Sequence, residues 1–245
     1  MSVGMILDST MALSSKEEED EMEGKPYHQV LGSMMWGQLA TRPDLVYIVS
    51  LLSRFQNHPG LAHWNLLMHV IGYIKMIMDY EIIYTQGKSL KPMGFIDADY
   101  GGCKDMMRST LGYVFMMAGG PILWSAKCQA TVALSTVKAE FVSLTRAVQQ
   151  SKWMFLWLKE VRLEQEKLGI LKCDNHGAVS LTNMTHNHHK VKHIDIHEHY
   201  IHELVRAGDI KMEFIWGKVN AVDLFTKPLH CDHHYRYLVD LNITN

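Results

Sequence analysis

The sequence predicts an α/β protein, in which a mixed five-stranded sheet is flanked by helices and preceded by a small helical arm. Between about residues 26 and 88, apolar residues recur at steps of three and four, which is typical of helices. After Gly87 the pattern changes to short apolar runs that are separated by turn residues. Three such runs, a long helical stretch and then alternating strand and helix indicate a mixed sheet with helices on its faces.

The composition is that of an ordinary globular protein with enough apolar residues for a large core. The chain has 245 residues, of which 47% are hydrophobic and 20% are charged. These values exclude collagen-like, coiled-coil and wholly disordered proteins. The net charge is −2, so the chain has no bulk positive charge for histone-like binding of nucleic acid. Any nucleic-acid function must therefore come from a local site.

Cysteine usage and hydropathy predict an intracellular protein, located in the cytoplasm or the nucleus. The four cysteines lie far apart and form no C-x-x-C pair, so we expect reduced thiols. The N-terminus lacks the basic region of a secretory signal. The most apolar stretch, 66–84, contains Lys75, Asp79 and Glu81, so we expect no membrane span.

Two terminal segments are predicted to be tails. Residues 1–25 end in the acidic run KEEEDE at 16–21, which has no apolar periodicity and is expected to be flexible and solvated. Residues 231–245 are assigned as a C-terminal tail.

The helical arm is assigned to residues 26–88. The run TRPD at 41–44 is a helix start signal, because proline fits the first helical turn. The apolar residues from Leu45 to Phe55 then line one helix face, and those from Trp64 to Met78 line a second. We expect an antiparallel helix pair without catalytic groups.

Residues 89–230 are predicted to form the α/β domain and to fold without the arm. Strands are predicted at 92–96, 113–117, 122–125, 170–173 and 211–216. Helices are predicted from about 135 past 157, at 178–183, at 193–207 and from 221. The crossover from the third strand through the long helix to the fourth should be right-handed if those strands are parallel.

Several carboxylates break this pattern. Asp97 ends the first predicted strand, Asp99 points to the same side, and Asp174 ends the fourth strand. Glu140 lies on or beside the buried face of the long helix, where a lone carboxylate is rare. Asp223 lies in the first turn of the last helix, which favours an anion.

Each of these acids alone has an ordinary explanation as a turn former or a helix-terminal acid. Together, Asp97, Glu140, Asp174 and Asp223 can converge at one end of a sheet, where they would repel one another without cations. Oxygen-rich acidic sites suit Mg²⁺ or Mn²⁺. Two such ions stabilise the attacking and leaving oxygens of a phosphodiester displacement.

Seven motifs occur in the same order as in a known family. They are FIDADYGG at 95–102, RSTLGY at 108–113, GGPILW at 119–124, TVALS at 131–135, CDN at 173–175, KHIDI at 192–196 and DLFTKPL at 223–229. This set resembles the type 1 ribonuclease H domain of copia-type LTR retrotransposon Pol polyproteins. Upstream, PY at 26–27, LGS at 31–33 and TRPD through LSRF at 41–55 resemble the end of the reverse transcriptase region.

The resemblance implies a ribonuclease H-like fold and a metal-dependent endonuclease that cleaves the RNA strand of RNA–DNA hybrids. It assigns Asp97, Glu140, Asp174 and Asp223 as the catalytic carboxylates and as ligands of two Mg²⁺ or Mn²⁺ ions; Asp99 is expected outside the ligand set. Implied partners are the hybrid and the polymerase part of the same polyprotein. The arm would either stabilise the fold or dock on polymerase parts. No Tyr-x-Asp-Asp motif occurs, so polymerase activity is not expected.

Basic and polar residues near the site are candidates for substrate contacts. They are Asn175, Lys190, Lys192 and His193, and 2′-hydroxyl contacts would distinguish RNA from DNA. Histidines are dense between His186 and His202, and His189, His193 and His197 share a helical spacing. No H-E-x-x-H motif or nearby cysteine accompanies them, so a solvated or substrate-facing basic edge is favoured over packing at the edge of the core and over a zinc site.

Two features leave other functions open. Lys138 stands where the family usually has an acid, and the chain contains 17 methionines, which is compatible with a drifted element copy. The alternatives to an active nuclease are a catalytically inert retrotransposon remnant and an interaction module that uses the helical arm. The presence of all four carboxylates favours the active nuclease.

Overall fold

The computed structural model describes residues 7–13, 15–163, 165, 167, 169–183 and 196–245. Within these ranges, no helix is long and apolar enough to cross a membrane.

The N-terminal region is a cluster of four helices: α1 (Lys16–Met22), α2 (Tyr27–Ala40), α3 (Val46–Ser53) and α4 (Leu61–Met76). The predicted start signal forms a 3₁₀ turn, Pro43–Leu45, which leads into α3. Tyr27, Leu31, Leu52 and Leu67 are buried between these helices, and the Tyr27 hydroxyl donates to the Leu52 carbonyl at 3.0 Å. The predicted helix pair corresponds to α3 and α4, and α2 packs beside it.

The acidic run differs from the flexible tail that its composition predicts. Its residues form α1, whose N-cap Ser15 accepts a hydrogen bond from the Glu18 amide at 3.2 Å. Acids in the first turn interact favourably with the positive end of the helix dipole. Leu7 and Met22 are buried, so this segment contributes apolar contacts.

The centre of the molecule is a mixed five-stranded sheet. Its strands are β2 (Met93–Cys103), β3 (Arg108–Met117), β4 (Gly120–Cys128), β5 (Gly169–Cys173) and β6 (Ile210–Phe214). The order is β4-β3-β2-β5-β6. β2, β3 and β4 are antiparallel neighbours, whereas β5 runs parallel to β2 and to β6. This topology confirms the predicted mixed five-stranded sheet.

Three helices cover one face of the sheet: α5 (Thr136–Glu160), α6 (His176–Asn183) and α7 (Ile196–Arg206). Ile96 and Leu171 from the sheet pack there with Leu144 and Ile201 from the helices. The N-cap of α5 is Ser135, which accepts from the Lys138 amide at 3.2 Å. Lys138 therefore does not prevent this helix from being capped.

The other face is covered by α8 (Asp223–Thr226) and α9 (Cys231–Asp240), together with residues from the arm. We call this cluster the shared core; Val46 and Ile77 from the arm are buried in it with Val114, Phe225 and Leu238. In addition, β1 (Glu81–Ile82) in the arm pairs with β7 (Ile243–Thr244) at the C-terminus.

The shared core contains residues from segments that the sequence assigns to a C-terminal tail and to a separate arm. Residues 231–245, assigned as a tail, form α9 and β7, and Tyr237, Leu238 and Ile243 are buried. The arm and the α/β domain bury their apolar residues against each other, because the sheet face next to α8 is otherwise uncovered. The sequence pattern does not reveal this contact, because the apolar periodicity of the arm helices does not show which surface they pack against.

Candidate active site

Asp97 lies on the central strand β2, and a close helix contact fixes its surroundings. Its register partner on β3 is Gly112, and a Cβ atom added at Gly112 would lie 2.6 Å from Cγ2 of Thr226. The absence of a side chain at Gly112 lets α8 pack directly on the sheet. Asp97 is only 4% exposed, and its carboxylate accepts a hydrogen bond from the Thr226 hydroxyl.

Glu140 is positioned by the second turn of α5. It is 6% exposed, and the Sγ atom of Cys173 lies 3.7 Å from its Oε2 atom. Burial, followed by the charges of Asp97 and Asp174, raises the pKa of Glu140 to about 9. Without a cation the group therefore holds its proton at neutral pH.

Asp174 directly follows β5 and is half-buried. Burial and the charge of Asp97 raise its pKa, and Lys227 partly opposes this. The turn after β6 passes close to it, because a Cβ atom added at Gly217 would lie 2.8 Å from Oδ2 of Asp174. A larger residue at position 217 would thus displace the carboxylate.

Asp223 is the first residue of α8. Its Oδ1 atom lies 2.7 Å from Nζ of Lys227, and its Oδ2 atom accepts a hydrogen bond from the Tyr237 hydroxyl at 3.5 Å. Burial and the charge of Asp97 raise the pKa of Asp223 to about 6, although the Lys227 ammonium group acts in the opposite direction.

These carboxylates converge. Asp97, Asp174 and Asp223 each offer an oxygen atom, and these atoms all lie within 4.8 Å of one another. Glu140, Cys173 and Asp174 form a second such group, so Asp174 links Glu140 to the other acids. Burial and, second to it, the charges of neighbouring acids raise the pKa values of Glu140, Asp174 and Asp223. An oxygen donor set suits Mg²⁺ or Mn²⁺. The residues present therefore fit a divalent-cation site.

Asp99 and Lys227 border the cluster. Burial raises the pKa of Asp99, but Asp99 is absent from the groups of converging ligand atoms among the described residues. Burial alone would lower the pKa of Lys227, but the charges of Asp97 and Asp223 outweigh burial, so the pKa is raised. The ammonium group thus places one fixed positive charge beside the acids. Sequence reasoning did not single out Lys227, although it lies inside the matched motif at 223–229.

Two further polar residues that hold the site were also missed. Asn220 is fully buried, and its amide donates to the carbonyl of Ile96 at 3.0 Å, next to Asp97. Its Oδ1 atom accepts from the Val222 amide at 3.4 Å. Asn220 therefore ties the segment that precedes Asp223 to β2, as Thr226 does from the other end of α8. The sequence signal that could have identified Asn220 is its position as a polar residue between the apolar residues Val219 and Ala221.

The residues predicted to contact the substrate have different outcomes. Asn175 follows Asp174 and caps α6, since its Oδ1 atom accepts from the Ala178 amide at 3.0 Å. Lys190, Lys192 and His193 lie outside the described residues. The same is true of His189, and the side chain of His197 is not described either, so the zinc hypothesis stays untested.

Comparison with known proteins identifies the relatives of the chain. No protein-family model matches it. It is 33% identical over 221 residues, 90% of its length, to the retrovirus-related Pol polyprotein from transposon TNT 1-94 of Nicotiana tabacum. The corresponding polyprotein from transposon RE2 of Arabidopsis thaliana is 32% identical over 203 residues, 83% of the chain. The chain is a homologue of copia-type retrotransposon Pol polyproteins. It spans 16% and 14% of the length of these two relatives.

Two shorter proteins match part of this Pol homologue. Secreted RxLR effector protein 161 of Plasmopara viticola is 37% identical over 133 residues, which is 54% of the chain and 94% of that protein. Among solved structures, LC11-RNase H1, isolated from compost by a metagenomic approach, aligns with 56% of the chain and 93% of its own length. That alignment has a TM-score of 0.43 and 15% sequence identity.

Proposed function

We propose that this Pol homologue is an endonuclease that cleaves the RNA strand of RNA–DNA hybrids with two divalent cations, Mg²⁺ or Mn²⁺. The observation that carries the proposal is the convergence of Asp97, Asp174 and Asp223, whose carboxylate oxygens lie within 4.8 Å of one another. Glu140 joins the group through Asp174. Buried carboxylates of this density are stabilised by cations or protons, and not by one another.

Each side chain has a distinct role in this proposal. Asp97, Glu140, Asp174 and Asp223 would hold the cations, which when bound supply charge stabilisation for the attacking and leaving oxygens of a phosphodiester. Glu140 carries a proton in the cation-free protein, because its pKa is about 9, and it would release that proton as positive charge enters. Thr226 holds the Asp97 carboxylate in a fixed orientation.

The proposed substrate class is taken from the relatives, and the net charge of the chain indicates how such a substrate would bind. Pol polyproteins are the homologues, and the overall charge of −2 offers no general attraction for nucleic acid. Binding would therefore depend on local contacts, for which Asn175, Lys190, Lys192 and His193 remain candidates. Contacts to 2′-hydroxyls would distinguish the RNA strand. The helical arm would dock on polymerase parts of a Pol polyprotein.

A folded protein without turnover is the alternative. The match to a protein named as a secreted effector covers 54% of the chain, so a relative of this region carries a name unrelated to catalysis. The four acids and their supporting hydrogen bonds distinguish the two hypotheses, because an interaction module has no need of buried, mutually repelling carboxylates. For this reason the nuclease is the better supported function.

A cleavage assay on a labelled RNA–DNA hybrid tests the proposal. The parent protein should cut the RNA strand in Mg²⁺ or Mn²⁺ and not in EDTA, and the products should carry 5′-phosphate and 3′-hydroxyl ends. Asp97→Asn should lower the rate about 100-fold or more. Asp79→Asn, at an exposed acid in the turn after α4, is the matched control and should keep the parental rate. An inactive parent, or an Asp97→Asn variant as fast as the parent, would contradict the proposal.

A further inference from the structure

Three aromatic rings meet where β6 ends and α6 begins. The His176 ring stacks on the Phe214 ring, with centroids 3.5 Å apart and an interplanar angle of 12°. The Trp216 indole packs edge-on against Phe214 at 5.2 Å and against His176 at 6.5 Å. These two ring contacts restrict the orientation of the Trp216 indole.

The chain places this indole beside the acidic cluster. Gly217, the next residue, passes so close to Asp174 that an added Cβ atom would lie 2.8 Å from its Oδ2 atom. The Tyr237 hydroxyl lies 3.4 Å from the carbonyl oxygen of Gly217 and 3.5 Å from Oδ2 of Asp223, so its single hydrogen is shared between these two acceptors. The backbone next to Trp216 is therefore fixed between two of the four acids.

Trp216 is nevertheless open to solvent. It is 73% exposed, although tryptophan is normally among the more buried residues. The following Lys218 is also exposed and adds a positive charge on the same turn. An exposed indole and a cation at the rim of an acidic site match two parts of the nucleic-acid backbone, its sugar and its phosphate.

We propose that Trp216 packs against the nucleic acid beside the scissile phosphate and contributes to hybrid binding. This inference rests on the proposed nuclease function and extends it to a binding residue. Bases inside a duplex are stacked on one another, so a side chain reaches the sugars and base edges of the wide, shallow minor groove. The indole face packs on these sugars, and Lys218 lies near a backbone phosphate.

The test compares Trp216→Ala and Trp216→Phe with the parent. Binding of a fluorescently labelled hybrid is measured by anisotropy with Ca²⁺ in place of Mg²⁺, after a gel has verified that the hybrid stays uncut; KM and kcat are then measured in Mg²⁺. Removal of one aromatic contact should raise Kd and KM about 5- to 100-fold, with a much smaller effect on kcat. Trp216→Phe should retain most of the affinity.

Trp36→Ala is the matched control. Trp36 is 76% exposed on α2, as exposed as Trp216 but within the arm, and its loss should leave Kd unchanged. An equal loss of affinity in Trp36→Ala and Trp216→Ala, or an unchanged Kd in Trp216→Ala, would overturn the inference. The fluorescence emission of Trp216 itself is obtained by subtracting the spectrum of Trp216→Phe from that of the parent. This emission should change when hybrid is added, and an unchanged emission would overturn the inference.

These outcomes separate the inference from the function on which it rests. A parent that binds and cleaves hybrid while Trp216→Ala binds equally well contradicts the role of Trp216 and leaves the nuclease function intact. A parent that neither binds nor cleaves hybrid contradicts both.

Discussion

The Thr226 hydroxyl donates a hydrogen bond to the buried carboxylate of Asp97, although the two residues are 129 positions apart in the chain. Thr226 ends the four-residue helix α8, which begins at Asp223. This contact therefore fixes the element that carries one acid of the cluster to the strand that carries another. The orientation of the cluster depends on it as well as on the sheet.

Thr226→Val should destabilise the protein and slow hybrid cleavage. Valine keeps the shape of threonine but leaves a buried carboxylate without its donor, which costs about 1–3 kcal/mol. Thr226→Ser keeps the hydroxyl and is the matched control. Urea unfolding of both variants in EDTA measures the effect, and equal free energies of unfolding for the two would refute this role of the hydroxyl.

Glu140→Gln should change how stability depends on pH in the metal-free protein. The pKa of Glu140 is raised from 4.5 to about 9, so the folded state binds this proton more tightly than the unfolded state does. The contribution of this proton to the free energy of unfolding is fully present below the unfolded pKa and is lost as the pH rises towards 9. The free energy of unfolding of the parent, minus that of Glu140→Gln, should therefore fall from about pH 5 to about pH 9. Urea titrations in EDTA at several pH values measure it, and a pH-independent difference would rule out the raised pKa.

A fragment of residues 89–230 should fail to fold cooperatively, contrary to what the sequence pattern predicts. Val46 and Ile77 from the arm and Leu238 from α9 are buried in the shared core, and the fragment would expose the apolar residues that they cover. The fragment 26–245 keeps this core and is the matched control. Near-UV circular dichroism during thermal melting distinguishes them; a cooperative transition for 89–230 would show that the arm is dispensable.

The approximate positions of the five strands along the chain and the convergence of the four acids were predictable, because both depend largely on local pattern. Asp174 directly follows β5, as the end of its apolar run predicts. The predicted strand end at Asp97 was wrong: β2 continues to Cys103, so Asp97 lies within the strand, one residue beyond its pairing with β5. Glu140 was detectable because a carboxylate beside a buried helix face breaks the periodicity.

The remaining features depend on contacts between distant segments. Asn220 reaches Ile96 across 124 positions, and no spacing rule encodes that pair. Tyr237 and Leu238 are buried because they pack with residues of α8, of the arm and of the sheet, which are distant from them in the chain. The α1 helix depends on one cap at Ser15, which the acidic composition obscured.

Mg²⁺ should raise the melting temperature of the parent, and Asp174→Asn should reduce that shift. A cation that binds only the folded state stabilises it by about 2.7 kcal/mol at a concentration of 100 Kd. Asp174 belongs to both groups of converging ligand atoms, so removing its charge weakens the whole site. In EDTA the same substitution should raise the melting temperature, because burial and Asp97 already disfavour the Asp174 anion.

The acidic helix α1 is the competing place for Mg²⁺, and Glu17→Gln is therefore the matched control. Glu17 is exposed in the first turn of α1, and its loss should leave the Mg²⁺-induced shift at the parental value. Differential scanning fluorimetry over a Mg²⁺ titration gives all three curves. Equal shifts in the parent and in Asp174→Asn, with a reduced shift in Glu17→Gln, would place the cation on α1. The acidic cluster would then not be the metal site, and the inert-remnant hypothesis would become the better one, because charge repulsion among its carboxylates would be left without a cation to offset it.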